Sequence, residues 1–228
     1  HWVRNPKEGL QMIPTDSIVL KLDKEAIKRS GMMIPKALNG EIPEYMHISL
    51  KGKRALYKSE LMMLEMLANT NWERPMYMAI TVASENHLNM GNNFMQEGLA
   101  YRITPFNTTQ LNARIDTEKM YDNLMHKFKF GNIAQDDIYL DETIMRMSQT
   151  HRRMFIQLAS QLIKEGKNDK ALKALDYCQE VIPSKNVPHD FIMSSSKEMA
   201  DDYIALGEIK KAETILDELA NKAIEYIT

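Results

Sequence analysis

Trp72-Glu73-Arg74, with Tyr101 and Arg102, are the residues whose types best suit chemistry at a surface. An aromatic face beside a carboxylate and a guanidinium can stack on a sugar or peptide and bond its polar groups. The candidate binding surface is therefore Trp72, Glu73, Arg74, Tyr101 and Arg102. A competing reading is equally physical. A Trp just before Pro75 and a strand-like run suits a packing anchor, and Arg102 suits neutralising Glu97 or Glu73.

Other reactive side chains give less. The histidines at 1, 47, 87, 126, 151 and 189 lack the paired spacing of a helical metal site. "DDIYLDE" (136–142) gathers four acids but lacks the alternation and central Gly of a calcium loop, so it reads as solvated loop plus helix cap. "ELMMLEML" (60–67) offers thioethers to a soft metal. Leu61, Leu64, Leu67 and Ala68 already trace a helical stripe there, which favours core packing. Cys178 is the single cysteine, so no internal disulfide forms, and its place on a helix's inner face reads as a buried thiol. There is no Gly-rich phosphate loop and no G-x-S-x-G elbow. No catalytic residue, metal ligand or cofactor is assigned, and a hydrolase is the weakest option.

The elements that position these residues follow from composition and periodicity. With 228 residues, 44% apolar and 26% charged, the chain has the make-up of a globular protein with a real core. The formal net charge of −2 gives no reason to propose nucleic acid. Residues 21–58 carry nine Lys/Arg against four acids, and residues 190–228 nine acids against four bases. Two solvated faces account for that, and a basic face toward anionic lipid or another part of the same protein is the sharper reading. No run reaches the roughly 18 apolar residues of a membrane span. The chain opens on His1 without a signal-peptide pattern and reads as a piece of a longer protein.

Residues 1–16 read as irregular. "SIVLKLD" (17–23) and "YMHISLKG" (45–52) alternate as half-buried strands, with a short helix at 24–30 capped by Asp23 and stopped by Gly31. A short return strand is predicted at 54–57, a helix from a Ser59 cap to about Ala68, and further strands at 75–83 and 99–106, with a polar segment at 84–97 between them. This is an α+β unit, residues 1–113, on a small mixed or antiparallel sheet. From 114 to 228 the period becomes helical. Asp116 can cap a helix with the face Met120, Tyr121, Leu124, Met125 and Phe128, residues 129–141 read as loop, and Asp141 can cap a long helix to about Glu165.

That second part repeats. Residues 152–185 follow tetratricopeptide spacing: Phe155, Leu158-Ala159, Leu162, Gly166 at the turn, Ala171, Leu175 and Pro183. Residues 193–226 reuse the frame with Met199-Ala200, Tyr203, Gly207, Ala212 and Leu216. The offset of 41 implies about seven inserted residues, 186–192. The second unit departs at Ser196 and Ile224, and two units are fewer than a free solenoid needs.

An ordered series of segments resembles one family: "DKEA" (23–26), "ALYKSELMMLEMLANTNWERPMYMAI" (55–80), "MQEGLAYRITP" (95–105), "RIDTEKMYDNLMHKFKFGN" (114–132), "YLDE" (139–142) and "IKEGKNDKAL" (163–172). It is a family of Bacteroidetes-type polytopic membrane proteins of poorly defined function, whose membrane part is similar to GT-C glycosyltransferases such as protein O-mannosyltransferases. The resemblance runs from about residue 17 to the end and falls on the extramembrane C-terminal region. It implies a non-catalytic domain on the extracytoplasmic (periplasmic) face, tethered by an N-terminal membrane region. The implied partners are that membrane-embedded part or an acceptor protein or glycan. A tetratricopeptide-type interaction scaffold unrelated to sugar transfer is the alternative. "NWERPMY" looks like a hallmark of the family's domain.

Overall fold

Alternation along Tyr45–Ser49 puts Met46 and Ile48 inside and leaves Tyr45, His47 and Ser49 exposed. This holds in a computed structural model that describes residues 3–4, 11–12, 15–53, 55–190 and 194–225. The chain divides into two units, His1–Asp116 and Thr117–Thr228, an α+β part and a helical part.

In the first unit, β1 (Val3–Arg4) pairs antiparallel with β2 (Gln11–Met12). The stretch expected to be irregular, 1–16, thus carries these two short strands; residues 15–16 have no regular element, and 1–2, 5–10 and 13–14 lie outside the described residues. β3 (Ser17–Lys21) and α1 (Lys24–Arg29) follow. Asp23 caps α1, its Oδ1 accepting from the Glu25 and Ala26 amides at 3.0 and 2.9 Å. The Ala26 amide is the largest influence holding its carboxyl below the usual range. β4 (Tyr45–Ser49) pairs antiparallel with β3, Val19 opposite His47. α2 spans Lys58–Asn69. It starts from a capping box at Tyr57, whose amide donates to the Glu60 carboxylate at 2.8 Å, rather than from the expected Ser59. Its buried side is Glu60, Met63, Leu64 and Leu67. The expected stripe is thus rotated, and Leu61 and Ala68 are exposed. No strand forms at 55–57, and residue 54 lies outside the described residues.

β5 (Tyr77–Ala79), β6 (Phe94–Gln96) and β7 (Ala100–Ile103) form an antiparallel sheet in the order β5-β7-β6. The strand predicted at 75–83 is therefore three residues long, because the chain turns at Ile80. β6 falls in the segment read only as polar. Its three residues are all buried, so it has no alternation to read. The core joins Ile27, Met46, Ile48, Leu64, Leu67, Trp72, Phe94, Ile103 and Phe106.

The second unit opens with α3 (Thr117–Asp122), which passes into one π-helical turn at Asn123–Lys127. α4 (Glu142–Lys164) is capped by Asp141, whose carboxylate accepts from the Ile144 amide at 2.8 Å. α5 (Asn168–Val181) packs on α4, and α6 (Ser196–Ala205) packs on α7 (Ile209–Glu225). α4 also packs on α6. Ala159, Ala171, Ala174, Ala200 and Ala212 are all buried at these crossings, where a small side chain lets helix backbones approach.

The two hairpin turns are built alike. Gly166 (φ 74°) donates to Ile163 O and the Lys167 amide to Leu162 O, both at 2.9 Å. Gly207 (φ 81°) donates to Ile204 O and the Glu208 amide to Tyr203 O, again both at 2.9 Å. This 6→1 and 5→2 pattern closes a helix end on a left-handed residue, which is where Gly avoids a Cβ penalty. Residues 193 and 226, the ends of the second repeat as read from sequence, lie outside the described residues.

Candidate functional site

The residues singled out around Trp72 do not form one exposed surface. Asn71 and Trp72 both take left-handed conformations, φ 49° and 63°, and this turn drives the indole inward until it is 6% exposed. The Trp72 amide donates to Thr70 Oγ1 at 3.1 Å, and Asn71 Nδ2 donates to Asp23 Oδ2 at 3.2 Å, fixing the turn against the start of α1. Trp72 joins the core, so the packing-anchor reading describes it and the platform reading is corrected.

Arg102 is also interior, 1% exposed. Its Nη2 donates to Ser30 O at 2.9 Å and Ser30 Oγ at 3.0 Å, at the end of α1, and its Nη1 stands 3.7 Å from Glu97 Oε1. Glu97 Oε2 accepts from the Tyr77 hydroxyl at 2.7 Å. Burial, and then the bond to Glu97, push the Tyr77 phenol up to about 12. A buried charge needs this pairing, and Arg102 pairs with Glu97, one of the two acids expected. Tyr101 is half-buried and stacks on Phe94, centroids 5.5 Å apart at 11°. Only Glu73 and Arg74 remain exposed. The crevice shared by Trp72, Arg74 and Arg102 leaves essentially no volume for a water molecule. Arg102 ties β7 to the end of α1.

The helical unit contains a site that sequence reasoning missed. A cleft of about 340 Å³ opens where the π-helical turn and the following loop meet α5. Phe128, Phe130 and Tyr177 line it, each half-buried. Phe130 is held from behind by Phe155 at 5.7 Å, Tyr177 at 6.2 Å and His151 at 5.8 Å between centroids. His126, Lys129 and Glu180 stand exposed around the mouth. The expected helix face includes Phe128, but the helix ends at Lys127 and Phe128 turns extended, ψ 147°. The alternation His126-Lys127-Phe128-Lys129-Phe130 was the available signal, obscured because it spans a helix end and a loop.

The remaining reactive groups are occupied. Asp136 pairs with Lys185, Asp141 caps α4 and Glu142 pairs with Arg146 at 2.7 Å. Cys178 is buried, and burial pushes its thiol up to about 12, so the reactive thiolate is suppressed. His189 Nδ1 lies 2.7 Å from Ser196 Oγ, and Ser194 Oγ is 2.6 Å from Ser196 Oγ, all three residues at most 2% exposed. Burial, with the charges of Arg152 and Lys222, lowers that imidazole to about 3. The imidazole is thus held neutral and buried, bonded to Ser196. Among the described residues no group of His, Cys, Asp and Glu is arranged to hold a metal ion, and no helix is long and apolar enough to cross a membrane.

Residues 3–119, just over half of the chain, match the family described as TMEM260-associated domain 2. No curated protein and no solved structure matches the chain.

Proposed function

Because the chain belongs to the TMEM260-associated domain 2 family, we propose that it is the non-catalytic, extramembrane part of a glycosyltransferase-like membrane protein. In that role it docks on the membrane-embedded part or engages the acceptor protein or glycan. The observation that carries this reading is the pair of helical hairpins at residues 142–225, closed by identical glycine turns 41 residues apart. Together they make a tetratricopeptide-like array, and such arrays act by binding. The polar networks around Arg102 and His189 support the non-catalytic half of the reading, because both are consumed by packing. What supports the extracytoplasmic side is the resemblance of the family's membrane part to GT-C enzymes, whose donors are lipid-linked.

The test is an assay of sugar transfer from a lipid-linked donor. The purified chain is expected to transfer nothing, while membranes carrying the full-length protein are expected to transfer. Turnover by the chain alone would refute the proposal. A tetratricopeptide scaffold unrelated to sugar transfer rests on the same hairpins, and inactive full-length membranes would favour it.

A further inference from the structure

We infer that the cleft lined by Phe128, Phe130 and Tyr177 is a binding site for one neutral pyranose ring. The inference deepens the proposed engagement of a glycan and rests on that reading for its biological setting, but its evidence is local. First, the walls are aromatic and stiff. Phe130 is wedged among Phe155, Tyr177 and His151, so the ring surface is already in place before a ligand arrives. Aromatic faces carry partial negative charge and accept the weakly positive C–H face of a pyranose.

Second, the polar groups at the mouth are unspent. Among the described residues, the side chains of Lys129 and Glu180 make no hydrogen bond or ion pair, although ion pairs are common elsewhere on this unit, as at Glu118–Lys167 and Asp176–Lys211. An ammonium donates and a carboxylate accepts, which is the complement of a vicinal diol. Third, the charges oppose. One Lys and one Glu favour a neutral ligand over an anion or a cation. Fourth, about 340 Å³ lies at the lower end of the roughly 300–1,000 Å³ typical of small-ligand sites, which suits a single ring rather than an extended peptide. Finally, the π-helical turn at Asn123–Lys127 delivers Phe128 to the cleft, and such turns concentrate at functional sites.

The experiment is saturation-transfer NMR on the 228-residue chain. The probes are methyl pyranosides of mannose, glucose, galactose and N-acetylglucosamine, with mannitol as an acyclic control and N-acetyl-phenylalaninamide as a peptide-like control. At least one pyranoside should give saturable transfer centred on its ring C–H protons, with a Kd on the order of millimolar. Mannitol should give none. Glu180→Ala and Lys129→Ala remove exposed, unpaired groups and should keep the melting temperature while weakening binding roughly tenfold. Tyr177→Ala should abolish it. The inference is overturned by absence of saturable transfer from every pyranoside, by equal transfer from mannitol, or by undiminished binding in Glu180→Ala. Saturable transfer from N-acetyl-phenylalaninamide alone would assign the cleft to a peptide side chain and also overturn it. None of these outcomes bears on sugar transfer by the full-length protein, so the two readings fail separately.

Discussion

Trp72 shows what one residue decides. A bulky side chain at φ 63° costs about 1–2 kcal/mol of backbone strain, and burial of the indole against Leu67 and Ile103 offsets it. Trp72→Ala keeps the strain and loses the burial, so it is expected to destabilise by about 3–5 kcal/mol. Thermal unfolding of the first unit reads this directly, and an unchanged melting temperature would mean the indole is not in the core. The sequence raised both roles for Trp72 because type and neighbours alone do not report φ. Asp23 and Asp141 were legible as caps because capping is local in sequence, whereas Arg102 reached Ser30 across 72 positions. His189 supplies the pH dependence. Its folded pKa is depressed to about 3 against 6.5, so the unfolded chain binds the proton first as pH falls. Stability from this group is full above about pH 6.5 and declines on acidification until about pH 3. By pH 5 the loss is about 2 kcal/mol. Asp202, whose carboxyl burial raises to about 6, gains stability over the same window and offsets part of that loss, so melting curves at pH 7 and pH 5 should show a larger acid loss in the wild type than in His189→Asn.

At the scale of elements, the two hairpin turns make a paired test. Gly166 and Gly207 share the same hydrogen-bond pattern, and a Cβ at either meets no heavy atom within 4 Å. The cost of Gly→Ala is therefore conformational alone, about 1–2 kcal/mol, and should be nearly equal at the two sites. Chemical denaturation of the two variants checks this, and a stabilised or strongly unequal pair would contradict the shared geometry. These helices were legible because their apolar period is long and glycine marks each stop. The loop after α5 was legible only as an insertion. Its anchor is Arg152, which reads as an ordinary helix residue, yet is fully buried with Nη2 donating to Ile182 O at 2.9 Å and Nη1 to Pro188 O at 3.2 Å. In the first unit the strands blurred for a physical reason. β5 and β6 are three residues each, shorter than one period of reliable alternation, and their pairing to β7 is a tertiary fact.

For the whole molecule, the division of labour between an α+β unit and a helical unit carries the account. The first unit carries nearly all of the family match and spends its charged interior on packing, as Arg102, Glu97 and Tyr77 show. The second keeps an aromatic cleft with unspent polar groups. On the proposed reading, the chain binds on behalf of a catalytic part elsewhere in the full-length protein. The most direct measurement is sugar transfer to acceptor by membranes from cells expressing the full-length protein with this region deleted, with and without the purified chain added in trans. The account predicts that deletion abolishes transfer and that adding the chain restores part of it. Undiminished transfer after deletion would contradict it.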